Sequence, residues 1–203
     1  MKIGIMGGTF DPIHSGHLML AEYAYQQCHL DEVWFMPNGN PPHKKNSTIE
    51  SDAHQRAEMV GLAIADIEYF KLNLYEVNQK NVSCSYQTLE YLKSSYPKDE
   101  FYFIIGADSL FAIETWVHPE RIFPTCTILA ACRDAIDTYE EMNIKIQELN
   151  KKYNARIILL KMPLFHVSSH EIRSFLKEGK DVSGYLPEDV EHYIQRYGLY
   201  KEG

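Results

Sequence analysis

Short apolar runs alternate with stretches of helical spacing along this chain. Lys2–Met6 reads as a buried strand that stops at Gly7-Gly8, and Leu18, Ala21, Tyr25 and Cys28 then recur on one helical face. Val33–Met36 is a second apolar run, closed by Pro37-Asn38-Gly39 and Pro41-Pro42. Ala53, Ala57, Val60 and Ile64 share one face of a helix predicted over 52–65. Tyr69–Val77 alternates, which predicts a strand with one exposed face. Gln87–Lys93 reads as a short helix, and Phe101–Ile105 and Ile128–Cys132 as continuously apolar strands. Thr138–Tyr153 predicts an amphipathic helix opened by a threonine cap, followed by the strand Ile157–Leu160. Ser168–Glu178 and Pro187–Tyr197 close the chain as helices, with Gly179 stopping the first and Pro187 near the first turn of the second.

Strands that alternate with helices predict a parallel sheet, and strands without polar alternation predict burial on both of its faces. The expected fold is therefore α/β: a Rossmann-like parallel sheet with helices on both faces and a small helical C-terminal extension. At 203 residues the chain fits one domain, with the extension at about 165–203. Such sheets bind ligands beyond the carboxyl ends of their strands, where the strand order reverses. The turn after the first strand is thus the first place to look for chemistry.

Composition narrows the classes. Hydrophobic residues make up 45% and charged residues 24%, which suits a globular chain. The net charge of −8 argues against nucleic acid or an anionic membrane as partner. No apolar run is long enough to span a membrane, and MKIGIMGGTF lacks the apolar core of a secretory signal. The 4 cysteines form no CxxC pair, so reduced thiols in a cytoplasmic chain are expected. The 9 histidines raise a metal site as a question. His14 and His17 have chelating spacing, but zinc needs three or four ligands, and only Asp11 and Asp108 offer themselves without any motif-like spacing. No protein metal site is expected.

Gly7-Gly8-Thr9-Phe10-Asp11-Pro12-Ile13-His14-Ser15-Gly16-His17 fills the first turn. It is not GxGxxG, so it is no dinucleotide fingerprint. Its composition still suits phosphate. The glycines admit a ligand close to the backbone, Ser15 and Gly16 open a helix whose N–H groups face an anion, and two imidazoles flank that start. Ser168 or Ser169 caps a later helix whose first turn is read as holding Arg173, a second anion site. Gly106 and Asp108 end a strand, where a carboxylate meets ribose hydroxyls or an ion. Each of these, taken alone, is also ordinary: a solvated loop, a capped helix, an exposed Lys44, a core Trp116.

Together the motifs resemble the HxGH nucleotidyltransferase superfamily, and the long form GGTFDPIHxGH is similar to bacterial nicotinate-nucleotide adenylyltransferases. Pro37-x-x-x-Pro41-Pro42-His43-Lys44, Gly106-Ala107-Asp108-Ser109-Leu110 with Trp116, Arg133 after a strand, and Val167-Ser168-Ser169-His170-Glu171-Ile172-Arg173 follow in that family's order, over essentially the whole chain. The resemblance implies adenylyl transfer from ATP to nicotinate mononucleotide in NAD biosynthesis. It implies His14, His17, Lys44 and Arg173 as catalytic residues. It implies ATP on Gly8, Thr9, Phe10, His14, His17, Gly106, Asp108, Arg133, Ser168, Ser169 and Arg173. Nicotinate mononucleotide would meet Gly7, Gly8, Lys44, Ser85, Trp116 and Val117. Mg²⁺ would come with ATP, held largely by phosphates and water. Departures from the family pattern are Ser85 at its Thr position, Val117 for an aromatic residue, His170 for Thr and Asp134 for Pro. The residues leave open another adenylyl- or cytidylyltransferase with a nicotinamide mononucleotide or phosphopantetheine acceptor, a non-catalytic nucleotide-binding regulator, and a homo-oligomer.

Overall fold

The computed structural model describes residues 1–39, 49–79, 82–132, 136–163 and 167–201. Six strands form one parallel sheet in the order β3-β2-β1-β4-β5-β6. They are β1 (Lys2–Gly8), β2 (Glu32–Pro37), β3 (Phe70–Leu72), β4 (Glu100–Gly106), β5 (Thr127–Ala131) and β6 (Ile157–Leu160). The helices among the described residues are α1 (Ser15–Cys28), α2 (Ala53–Ile64), α3 (Ser85–Ser95), α4 (Ala107–Ala112), α5 (Ile136–Tyr153), α6 (Ser169–Lys177) and α7 (Glu188–Tyr197). The expected Rossmann-like α/β fold is what the chain adopts.

The strands are parallel because helices connect them, and they are apolar because those helices cover them. Ile3, Ile5 and Met6 of β1, Phe103, Ile104 and Ile105 of β4, and Ile128–Ala131 of β5 are all buried. Register places Ile3 beside Phe101 and Ile5 beside Phe103, and Leu129 beside Ile158. The strand order reverses between the neighbouring strands β1 and β4, which places the switch point there. Among the described residues no helix is long and apolar enough to cross a membrane. None of Cys28, Cys84, Cys126 and Cys132 is in a disulfide, and burial pushes the Cys126 thiol up to about 12.

Two compact units make up the chain. One comprises Met1–Gly7, Leu20–Trp34 and Cys84–Phe165; the other comprises Gly8–Met19, Phe35–Ser83 and His166–Gly203. In the first unit, Met142, Ile146 and Leu149 form the buried stripe of α5. In the second, α2 buries Ala57, Val60 and Ile64 on the face that the spacing predicts.

Several elements differ from the sequence expectations. The alternating stretch Tyr69–Val77 is a strand only over Phe70–Leu72. Asn73 ends it: its N–H donates to Phe35 O at 2.8 Å, and its side chain accepts from Tyr75 N at 2.9 Å, a local turn that competes with the ladder. Helix α5 begins at Ile136, so Thr138 lies inside it rather than capping it. Helix α1 buries Leu20, Ala21 and Ala24, so its apolar stripe is shifted from the one read through Leu18, Tyr25 and Cys28. Gly179 has φ 67° and ends α6, as its place after Glu178 suggests.

Candidate active site

The turn between β1 and α1 is buried rather than a solvated loop. Phe10, Asp11, Ile13 and His14 are at most 3% exposed. Phe10 adopts a left-handed φ of 52° and turns its ring back over Gly8. A Cβ on Gly8 would stand 3.0 Å from that ring, whose other neighbours are Phe35 at 6.1 Å and His17 at 5.1 Å between centroids. A side chain at position 8 would therefore need the Phe10 ring to give by a few tenths of an ångström. Gly8→Ala is expected to cost about 1–3 kcal/mol, the usual penalty of overpacking. An unchanged urea midpoint would show that the ring yields freely.

His14 is the residue before α1, and His17 is in its first turn. The carbonyl of His14 accepts from His17 N at 2.9 Å, which starts the helix. In return the His14 N–H donates to His17 Nδ1 at 3.2 Å. This is the half of a capping box in which the third helical side chain reaches back to the cap, here made by an imidazole. It also fixes chemistry: an Nδ1 that accepts leaves the proton of a neutral ring on Nε2. The two rings lie 3.7 Å apart at 31°, and the edge of Phe10 meets the outer imidazole at 78°. This ring contact orients the His17 imidazole at the N-terminus of α1.

Helix α6 approaches the same turn. Ser168 is its N-cap and forms a full capping box with Glu171. The Ser169 hydroxyl donates to Pro12 O at 2.9 Å. Both hydroxyls are thus engaged in building the helix start, and what this start offers an anion is backbone N–H. Arg173 lies in the second helical turn, not the first as the sequence suggested, because the helix begins at Ser169. Its Nη1 donates to Asp11 O at 2.7 Å and its Nε to Glu50 Oε1 at 3.1 Å. Lys177 donates to the same Glu50 oxygen at 2.9 Å. Burial pushes Glu50 up, but the hydrogen bonds from Lys177 and Arg173 outweigh it and hold the carboxyl below its usual range.

Two anchors of this turn escaped the sequence reading. Arg56 is 1% exposed. Its Nη1 donates to Thr9 O at 2.6 Å and Asn38 Oδ1 at 3.2 Å, and its Nη2 to Asn38 O at 2.8 Å and Gly39 O at 3.3 Å. A Cβ on Gly39 would sit 2.4 Å from Glu76 O, so that segment approaches too closely for any side chain. The signal for Arg56 is a cation four residues before Val60, on the apolar stripe of α2. Asp11 is the second anchor. It is 2% exposed and accepts from Ser51 Oγ, Tyr200 OH and Glu50 N. Tyr200 is far away in sequence and carries no local signal.

The other unit holds the remaining described candidates. Gly7 is exposed, one residue before the end of β1. Gly106 is the N-cap of α4, and Asp108 lies exposed in that helix's first turn rather than ending the strand. Ser85 is the first residue of α3, whose cap, Cys84, gives no side-chain hydrogen bond to the helix start. Trp116 packs edge-on against Phe103 at 6.2 Å, and its backbone N–H donates to Ile113 O at 3.2 Å. Val117 beside it is exposed. Arg121 braces this stretch with two bonds to Glu90, 2.8 and 2.6 Å, and lies over the Tyr86 ring. Lys44, with the whole Pro41-Pro42-His43 segment, and Arg133, with Asp134, lie outside the described residues.

The cytidylyltransferase-like family model matches residues 5–175 of the chain. A protein of Lachnoclostridium phytofermentans named probable nicotinate-nucleotide adenylyltransferase is 45% identical, over 98% of this chain and 98% of its own. One of Clostridium kluyveri with the same name is 43% identical, over 99% of this chain and 100% of its own. Among solved structures, a Plasmodium falciparum nicotinic acid mononucleotide adenylyltransferase complexed with NaAD superposes with a TM-score of 0.79 at 23% identity, covering 98% of this chain and 97% of that one. At that identity the superposition speaks for the fold.

Proposed function

We infer that this chain, which belongs to the cytidylyltransferase-like family and within it to the nicotinate-nucleotide adenylyltransferases, transfers the adenylyl group of ATP to nicotinate mononucleotide. The observation that carries the reading is the close His14–His17 ring pair at the start of α1, where Nδ1 of His17 accepts from the His14 N–H and the proton of the neutral ring therefore lies on Nε2. A phosphate oxygen of the mononucleotide attacks the α-phosphorus of ATP. The bond to the bridging oxygen breaks, and its electron pair leaves on pyrophosphate, giving deamido-NAD. No side-chain nucleophile is needed, because positioning and charge neutralisation carry such transfers. His17 Nε2–H donates to an α-phosphate oxygen where negative charge gathers. His14 and the backbone of Gly8, Thr9 and Phe10 line the same turn. The start of α6 with Arg173 takes the outer phosphates through backbone N–H groups and guanidinium charge.

Lys44 and Arg133 enter this reading only through the motif resemblance, as further cations for the phosphates. Gly106 and Asp108 are assigned to the ATP ribose. Gly7, Ser85, Trp116 and Val117 are assigned to nicotinate mononucleotide, with Trp116 offering an aromatic face and the N–H groups of Ser85 and Val117 the carboxylate. Among the described residues no three metal-ligating side chains come together. Magnesium, which the family resemblance implies with ATP, would be held largely by phosphate oxygens and water and would neutralise the pyrophosphate charge. A cytoplasmic setting fits four cysteines without a disulfide.

Backbone donors favour a carboxylate over an amide, whose NH₂ group would face other donors. One such buried mismatch costs about 1–3 kcal/mol, so nicotinate mononucleotide is expected to react roughly ten- to a hundredfold faster than nicotinamide mononucleotide. Competition between the two at equal concentration measures this. Equal rates would remove the carboxylate assignment, and preferential turnover of phosphopantetheine would replace the acceptor. No pyrophosphate from any acceptor would favour a nucleotide-binding regulator.

A further inference from the structure

We propose that Tyr200 is a positioning residue for this site: its hydroxyl holds Asp11 so that the turn over residues 8–14 presents His14 and His17 in register with Arg173. The proposal rests on the adenylyltransferase reading for what the turn does, and on the geometry alone for what holds it. Tyr200 follows α7, where the chain reverses at Gly198 with φ 63°. The ring that results is 5% exposed, although it stands near the chain terminus. Its hydroxyl donates to Asp11 Oδ1 at 2.7 Å, and Ser51 Oγ donates to the same oxygen. The two hydroxyl oxygens are 2.9 Å apart, which closes a buried triangle. The Glu50 N–H donates to Asp11 Oδ2 at 2.9 Å.

The arrangement matters because Asp11 acts on both sides of the site. It precedes His14 by three residues in the turn. Its backbone carbonyl seats Arg173 Nη1 at 2.7 Å, and its carboxylate stands 3.8 Å from the same nitrogen. A buried carboxylate stays in place only while its oxygens are supplied with donors. Burial pushes the Tyr200 phenol up, and the Asp11 charge adds to this, so the phenol keeps its proton and remains a donor at any working pH. Removing it leaves Oδ1 with one hydroxyl, and the carboxylate turns toward other donors. That movement carries the turn and the seat of Arg173 with it. A tyrosine serving stability alone would do none of this.

Tyr200→Phe removes the hydroxyl and keeps the ring. The expected result is a folded protein with KM for ATP raised about tenfold, KM for nicotinate mononucleotide within about twofold, and amide hydrogen exchange over residues 8–14 accelerated at least about tenfold. Ser51→Ala, which takes away the other hydroxyl on Oδ1, is expected to shift the same two readouts in the same direction, and it decides the matter if Tyr200→Phe does not fold. A lowered melting point with unchanged KM values and unchanged exchange in the turn would overturn the proposal. Should the wild-type protein release no pyrophosphate at all, the functional reading fails by itself. Exchange in the turn and direct titration with ATP then judge the latch: accelerated exchange with weakened ATP binding supports it, and neither overturns it.

Discussion

His17→Ala is expected to lower kcat by a hundredfold or more in a protein that stays folded. Two costs have to be separated. The substitution removes the reciprocal cap bond from His14 N–H to Nδ1, and loss of a helix cap costs about 1 kcal/mol of stability. On the proposed function it also removes the donor that serves the α-phosphate, and loss of one such donor raises a barrier by about 3–4 kcal/mol. A domain of ordinary stability, about 5–15 kcal/mol, survives the first cost, whereas turnover does not survive the second. His17→Asn sharpens the comparison. Its short side chain can accept from the His14 N–H but does not reach the position of Nε2. Stability should return while activity stays low. Near-wild-type turnover in either folded variant would remove His17 from the chemistry.

The largest effect on folding is expected at Arg56. Its guanidinium is buried and serves Thr9 O, Asn38 Oδ1, Asn38 O and Gly39 O together. Burial pulls its pKa down, with the Asp11 charge opposing, and the cation is tolerated there because its Nη1 and Nη2 donors are used. Arg56→Ala leaves four part-buried acceptors without their donor and removes a fully buried side chain from α2. An acceptor left unsatisfied costs about 1–3 kcal/mol, so losing the donor for several at once removes a large share of total stability. Urea unfolding of the variant measures it. A loss below about 1 kcal/mol would mean that water replaces the guanidinium at little cost, and that the turn does not depend on it.

Much of this was legible in the chain because local pattern and global fold agree. The apolar runs at β1, β2, β4 and β5 are largely buried, so their hydrophobicity is continuous and easily seen, whereas the edge strand β6 is legible although it leaves Ile158 exposed. Helix α2 shows its capping box through Asp52 and Gln55 at the expected spacing, and α6 through Ser168 and Glu171. The stretch after β3 misled because alternation is a property of side chains, whereas Asn73 redirects the backbone. Helix α4 is a single short element that starts directly at the end of β4, with no cap side chain to announce it.

At the site, sequence order revealed which residues belong to the turn but not what each touches. Arg173 read as a charge waiting for phosphate; the structure gives it a seat on Asp11 and Glu50, so it already organises the turn. Ser168 and Ser169 read as ligands, yet their hydroxyls complete the helix start and its tie to Pro12. Asp11 was visible only as a stray carboxylate. Its partners come from residues 50–51 and from Tyr200, and no periodicity in a sequence records contacts at that distance. The reciprocal bond between His14 and His17 could have been anticipated, since spacing of three at a helix start is that of a capping box, with histidine in the place of glutamate.

The central claim is that the donor at the start of α1 serves transfer at the α-phosphorus of ATP. It is tested most directly with ATP labelled at its α-phosphate, incubated with nicotinate mononucleotide and either the wild-type protein or His17→Asn. The account predicts that wild-type protein moves the label into deamido-NAD, with one pyrophosphate released for each label transferred, and that His17→Asn slows this at least about a hundredfold while remaining folded. Label that appears in ADP, or in AMP without any dinucleotide, or that reaches deamido-NAD equally fast with both proteins, would contradict it.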